Sequence, residues 1–453
     1  MGFLTSLLAF IVAIAILVAI HEFGHYWVAR KLGVKVLRFA IGFGKPIWKR
    51  TSGPDDTEYV IGAIPLGGYV KMLDEREAEV PEQELDRAFN RKPVTTRIAI
   101  VAAGPIFNFL FAIVVYALMY MVGVNGMKPV IGEVVAGSPA ELAGIVAGSS
   151  IVTVNDTPTP TWENAALAII NQAMDNGSVE LELADESGVA STRHLDLSDS
   201  KQMFAEGKIL DNIGIMPWRP VVPAVLGRLV EGGPGARGGL QLDDRVIEID
   251  RLPIARWSDL VDAVRARPGK EVEFVVLRGD KELAYRIRLD SVDDNGVAVG
   301  RVGAAPWVDP ELLAEHRVKV RFGPIDAFFQ GVKRTWDMSV LTLRFMGKMV
   351  TGQASLDNVS GPITIAQYAG VSALIGVSAF LGFLGIVSVS LGVLNLLPVP
   401  VLDGGHLLFY FIELIKGSPV SETTEMLGQR IGLGLLAMLM GLAFFNDINR
   451  LFG

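Results

Sequence analysis

Leu17-Val18-Ala19-Ile20-His21-Glu22-Phe23-Gly24-His25 joins the end of a membrane-length apolar run to a metal-binding spacing. No charged residue occurs between Gly2 and Ile20. A helix carried on through His25 puts the two imidazoles four residues apart, on one face and one above the other. That spacing lets both bind one Zn²⁺, with Glu22 beside the ion as general base for a water. Zinc lowers the pKa of its water to about 7, so the nucleophile forms at neutral pH. Ionisable side chains this close to lipid are costly and mark function. His21 and His25 are therefore candidate ligands, and Glu22 is the candidate base.

Half of the 453 residues are apolar and the mean hydropathy is +0.40, the balance of a membrane protein. A net charge of -8 argues against nucleic acid as a partner. The chain has no cysteine, which excludes disulfides, thiolate zinc sites, iron–sulfur clusters and cysteine nucleophiles within it. The N-terminal run lacks a basic n-region, and cleavage after it would discard the metal motif. It is expected to be a retained helix.

Four spans are expected: residues 1–29, 98–127, 371–403 and 427–447, the last built on a short uncharged core. Arg30, Lys31, Lys35, Arg38, Lys45, Lys49 and Arg50 follow the first span with no acid among them. The positive-inside rule then places residues 30–97 in the cytoplasm and the segment from 128 to about 320 outside. The connection 404–426 returns to the cytoplasm. The metal motif and the end of the third span both fall on the cytoplasmic side.

The outside segment repeats itself at an offset of 95 residues. Pro139 and Gly144 recur as Pro234 and Gly239, Ile151–Asn155 as Val246–Asp250, Pro158 as Pro253 and Trp162 as Trp257. Two copies, 128–220 and 221–308, follow. Their small-residue pattern, with a strand ending in Asn or Asp, resembles the PDZ domain in its bacterial, circularly permuted form. PDZ domains bind an extended peptide or C-terminus at a sheet edge; a pair of spacers or size filters fits the same pattern. Residues 309–357 read as a linker and an amphipathic helix on the outer membrane surface. Ile325, Phe328, Phe329, Val332 and Trp336 fall there at helical spacing.

Residues 57–72 read as a β-hairpin turning at Pro65 and Gly67-Gly68, apolar enough to dip into the bilayer. An exposed edge there, at Gly67, Gly68 and Tyr69, is open to pairing with an unwound substrate strand, and a plain surface hairpin fits the same residues.

A catalytic zinc site needs a third protein ligand and one open position. His194 and His316 lie in the outside segment. Asp403 and His406 remain, in Asn395-Leu396-Leu397-Pro398-Val399-Pro400-Val401-Leu402-Asp403-Gly404-Gly405-His406. Pro398 and Pro400 interrupt a spanning helix there, and polar residues at such a break usually line a site. Asn395 is positioned to support an oxyanion, or else to pack helices.

His21-Glu22-x-x-His25 closing a first span, with Asn395-x-x-Pro398-x-Pro400-x-Leu402-Asp403-Gly404 near the end of a later one, resembles the site-2 protease family of intramembrane zinc metalloproteases. Gly42-Phe43-Gly44, Gly67-Gly68-Tyr69 and Gly104-Pro105-x-x-Asn108 are similar to it as well. The resemblance implies a polytopic α-helical protein of a bacterial inner membrane, with two periplasmic PDZ-like α+β domains and a membrane-associated β-hairpin. It implies that His21, His25 and Asp403 hold Zn²⁺ and that Glu22 is the base. It implies substrates that are single-pass membrane helices: an anti-sigma factor after a first cut, in an envelope stress response, and remnant signal peptides. The PDZ pair would then exclude untrimmed chains, with peptide ligands and membrane lipid as further partners. Two other readings are a membrane-anchored zincin acting on soluble loops and a metal-free scaffold presenting two peptide-binding domains.

Overall fold

The computed structural model describes residues 3–197, 212–294, 297–352 and 359–452, in two compact units. Residues 198–211 of the first expected repeat and 353–357 of the expected linker lie outside the described residues.

The first unit holds α1 (Phe3–Lys31), β1 (Val36–Ser52), β2 (Thr57–Met72), α2 (Val94–Val122), α3 (Pro324–Val350), α4 (Pro362–Ile375), α5 (Val377–Leu396), α6 (Asp403–Lys416) and most of α7 (Glu422–Phe452). Among these, α1, α2, α5 and α7 are long and apolar enough to cross a membrane. Helix α2 is the hub, packing against α1, α3, α5 and α6. Ala13 and Leu17 of α1 meet Val115 of α2 and Leu384 of α5 in one apolar core. Ala112, Tyr116 and Met119 of α2 meet Ala327, Val389 and Val393 in another. Its opposite ridge, Ile106, Leu110, Val114 and Leu118, repeats every fourth residue and is left about half exposed, as a lipid-facing side is.

A single third span over 371–403 does not form. The chain ends α4 at Ile375, turns at Gly376 (φ 134°) and runs as α5 only to Leu396. Pro398 and Pro400 supply no N–H and fix their own φ. Leu397, placed before a proline, is extended (φ -65°, ψ 144°). Asp403 instead opens α6, so the stretch expected as a connection, 404–426, is mostly helical. Helix α7 also outruns the expected 427–447 at both ends.

The two arms of 57–72 do not pair with each other. Glu58–Ile61 lies along one edge of Arg38–Ile41 and Gly68–Lys71 along the other, while Lys49–Ser52 pairs with Thr57–Val60. A tight hairpin cannot hold its arms two strand spacings, about 10 Å, apart. The longer bend from Gly62 to Gly67 (φ 80°) does so and lets Arg38–Ile41 enter between them. Gly68–Lys71 is thereby an outer segment, and among the described residues nothing pairs with its other edge. Phe43, Ile47, Trp48, Ile61 and Ile64 stay exposed around this sheet.

The amphipathic segment forms α3, but its small residues make the protein contact. Ala327 and Thr335 are buried, and a Cβ on Gly331 would lie 2.6 Å from the Ile113 carbonyl oxygen of α2. Ile325, Phe328, Phe329 and Trp336 point away and are at least half exposed.

In the second unit one arrangement occurs twice. Strands Thr157–Pro158, Ser150–Val154, Ser178–Ala184 and Ala190–Asp196 form a sheet in that order, with helices Pro139–Leu142 and Trp162–Asn176. Leu252–Pro253, Arg245–Ile249, Glu271–Arg278 and Lys281–Arg288 do the same, with helices Pro234–Arg237 and Trp257–Arg265. In each copy an early strand pairs with a late one: Ile131–Val134 with Ile215–Pro217, and Leu226–Leu229 with Ala304–Pro306.

The end of α7 is tied to the start of α4 by one buried carboxylate. Asp447 Oδ1 accepts from the Gly361 amide (2.9 Å) and the Thr364 hydroxyl (2.6 Å). Its Oδ2 accepts from the amides of Ile363 (2.8 Å) and Thr364 (3.2 Å). Gly361 at the N-cap has no side chain to satisfy these donors, so a residue more than eighty positions away does it. Asp447→Ala is expected to cost about 3 kcal/mol, read from denaturation in detergent, because charged hydrogen bonds are lost and donors are left buried. An unchanged denaturation midpoint would show that the cap contributes nothing.

Candidate metal centre

Helix α1 runs unbroken through the motif, so His21 and His25 stack one turn apart. Their Nε2 atoms are 3.3 Å apart. Asp403 Oδ2, from the first turn of α6, lies 3.2 Å from His21 Nε2 and 3.5 Å from His25 Nε2. Ligand atoms about 2.0–2.1 Å from a tetrahedral ion sit about 3.3 Å from one another. The three separations thus outline one face of such a tetrahedron, with the fourth corner left for water or substrate. Asp403 Oδ2 is buried and accepts no hydrogen bond of good geometry. A carboxylate oxygen left so is expensive, and a cation in the triangle relieves it.

The tautomers fit. His25 Nδ1 donates to the Ile100 carbonyl of α2 (2.9 Å), which leaves Nε2 a free lone pair. His21 Nδ1 lies 3.1 Å from the side-chain amide of Asn108, a fully buried residue. As placed, Nδ2 faces the ring and Oδ1 has no partner among the described residues. With Nε2 on a metal, Nδ1 carries the proton. A 180° flip of the amide then gives it Oδ1 as acceptor and ends that atom's isolation. Ser388 of α5 holds the turn in place by donating to the Asn108 carbonyl (2.8 Å).

Gly104 leaves room for the rings. A Cβ there would collide with both imidazoles. Glu22 is buried and interacts electrostatically with His21, His25 and Asp403. A Cβ on Gly68 of the outer β segment would lie 2.9 Å from Glu22 Cγ, so that strand and Glu22 are in direct contact. On the other side, Gly432 of α7 lets the Pro400 carbonyl approach without hindrance, seating the irregular stretch before Asp403, where Val401 has φ 125°.

The structure brings His21, His25 and Asp403 together and leaves His406, half-buried one turn further along α6, outside the trio. Asn395 is half-buried in the last turn of α5, and its side chain makes no hydrogen bond to a described residue. Tyr69 accepts from Arg38 (3.1 Å) and stacks on Phe43. His194 and His316 belong to the second unit. Asn108 and Gly104 marked only a span entry in the sequence. The signal for their role was an amide and a glycine one turn apart inside an apolar run.

Residues 9–439 match the model of peptidase family M50. The chain belongs to that family. The regulator of sigma-E protease RseP of Escherichia coli strain K12 is 44% identical to this M50 chain over 453 residues, covering all of both. Protease RseP of Yersinia pestis is 44% identical over 454 residues, again covering all of both. A relative from Neisseria meningitidis serogroup A, whose name contains the words zinc metalloprotease, is 43% identical over 452 residues, 99% of this chain and 100% of the relative. Among solved structures, the PDZ domain of an SdrC-like protein from Listeria innocua overlays on 19% of this chain and 96% of its own, at 20% identity and a TM-score of 0.17.

Asn108→Leu in this M50 peptidase is expected to weaken metal binding about 10–100-fold, the usual cost of removing an outer partner of a ligating histidine. Chelator competition on the purified protein measures it. Affinity equal to wild type would detach Asn108 from the centre.

Proposed function

We propose that this peptidase is a zinc enzyme that cuts peptide bonds of single-pass membrane helices at bilayer depth. The observation that carries the reading is the triangle of His21, His25 and Asp403 with Glu22 buried beside it, built on helices of membrane length. Two imidazoles, one carboxylate and an open corner suit Zn²⁺. The ion, when bound, supplies Lewis acidity for a water and for the scissile carbonyl.

Glu22 takes the proton of the attacking water and returns it to the leaving amine. Ile100 and Asn108 keep both histidines in the tautomer that presents Nε2. Asn395, with its amide uncommitted, donates to the carbonyl oxygen as negative charge grows there. A helical substrate hides its peptide bonds and must unwind. The free edge of Gly68–Lys71, with Gly67, Gly68 and Tyr69 at its start, binds it as an added strand. Contact between Gly68 and Glu22 supports a bound strand beside the base.

The basic run after α1 supports a bacterial inner-membrane protein with its active site near the cytoplasmic face and the second unit in the periplasm. Pairing of an early with a late strand in each copy supports two circularly permuted PDZ modules, which bind peptide ends or exclude bulky chains. The names of the relatives support a place in sigma-E regulation, with an anti-sigma factor already cut once, and remnant signal peptides, as substrates.

The test compares wild type and Glu22→Gln in detergent, for bound zinc and for cleavage of a tagged single-pass helix. Zinc in both, with cleavage reduced about 10²–10⁴-fold in the variant, is expected. Zinc in neither, or equal cleavage, would return the chain to a scaffold role. Helix-breaking residues near the cut should speed cleavage in wild type, and a rate indifferent to them would remove the unwinding step.

A further inference from the structure

Arg97, Ile100, Gly104 and Asn108 recur at spacings of three, four and four along α2, which places them on one stripe. Three of them touch the histidines. The fourth reaches α6: Arg97 Nη2 donates to Glu413 Oε1 at 2.5 Å, and its guanidinium lies over the Tyr410 ring, 4.8 Å from the centroid. Arg97 Nε donates to the Lys92 carbonyl, so the side chain is held at both ends. Arg97 and Glu413 are mostly buried (13% and 16% exposed), which keeps the pair from the screening that weakens surface ion pairs. Phe89 packs edge-on against Tyr410.

We infer that Arg97, Glu413 and Tyr410 are positioning residues that set the third metal ligand from the far end of α6. Tyr410 is seven residues, two turns, beyond Asp403 and so shares its face, with buried Leu407 between them. Before Asp403 the chain is irregular, with two prolines and Val401 at φ 125°, so α6 is not continued from α5 as a rigid rod. Orientation of α6 must then come from what it packs on. The largest part of that surface is α2, the helix that already sets His21 and His25, with smaller contacts to α5 and α7. One stripe of one helix thus fixes all three ligands relative to one another. Two of them are held by hydrogen bonds to the rings, and the third by an ion pair and a cation–π contact at the end of a lever.

The inference rests on the zinc reading, and the experiment separates the two. Zinc affinity is measured by chelator competition on full-length wild type, Arg97→Met, Glu413→Gln, the double variant and the charge swap Arg97→Glu/Glu413→Arg. Folding is followed by thermal denaturation. Asp447→Ala serves as a destabilised control remote from α6. Wild type without zinc would refute the proposed function itself. Zinc in wild type, affinity lower by about 10-fold or more in each single variant, a double variant no worse than either single, and recovery in the swap are expected. Single variants that bind as wild type does, or that lose affinity only in step with stability as Asp447→Ala does, would overturn the inference. Glu413→Gln keeps the side chain's shape, so a failure of Arg97→Met to fold does not remove the test.

Discussion

The approach of α1 to α2 decides where everything else can be. On α1, a Cβ at Gly24 would sit 2.5 Å from the Ala103 carbonyl oxygen, and on α2 a Cβ at Gly104 would collide with both imidazoles. Backbones brought this close trade side-chain volume for contact, the usual basis of helix association in lipid, where no hydrophobic force draws apolar helices together. Here the contact also does chemistry. It carries the Ile100 carbonyl and the Asn108 amide within reach of two rings that would otherwise face lipid with uncommitted nitrogens. A second-row partner for a metal-bound histidine is commonly a carboxylate or a carbonyl. In a low-dielectric span a neutral amide and a backbone carbonyl serve without adding a charge that must be desolvated.

The choice of Asp403 over His406 follows from where the helix begins. Proline at 398 and 400 ends α5 and forces a restart, and Asp403 is the first residue of the new helix. Unsatisfied N–H groups and the macrodipole favour an anion at that point. A carboxylate one turn earlier than His406 therefore reaches the histidine pair with its charge supported from behind by the helix N-terminus. Glycines at 404, 405 and 432 crowd the backbone of 396–400 so tightly that a side chain at any of them would displace it. The break is accordingly a packed feature with a fixed shape.

Much of this was legible in the order of residues, and the illegible remainder has a common cause. The HExxH spacing and the Leu-Asp-Gly stretch are local, and a local pattern announces itself. The repeat is legible for the same reason, since Trp162 and Trp257 open corresponding helices at an identical offset. The stripe on α2 was hidden because Ile100 and Gly104 have ordinary membrane-helix composition. Ile100 acts through its backbone, which no side-chain pattern reports. The sheet was misread because strand order is a long-range property. Each arm of 57–72 has the composition of a hairpin strand, and only the entry of 38–41 between them shows that neither pairs with the other.

That strand order has a consequence for how a substrate is met. Had 57–72 closed on itself, its two edges would have been equivalent and either could have been offered. With Arg38–Ile41 in the middle, Glu58–Ile61 is covered on both sides, by 38–41 and by 49–52; among the described residues Lys49–Ser52 and Gly68–Lys71 are the outer segments, and Gly68–Lys71 is the one that lies against Val18 and Glu22 of α1. Unpaired edges are normally blunted, because they recruit strands indiscriminately. This one is short, begins at glycines, and is flanked by exposed Phe43 and Ile64. Under the proposed function, a short edge in an apolar setting would favour a strand that arrives already unwound and already in the membrane. On the proposed function, the same geometry that places Gly68 against Glu22 would limit what the sheet holds to chains that the metal centre can reach.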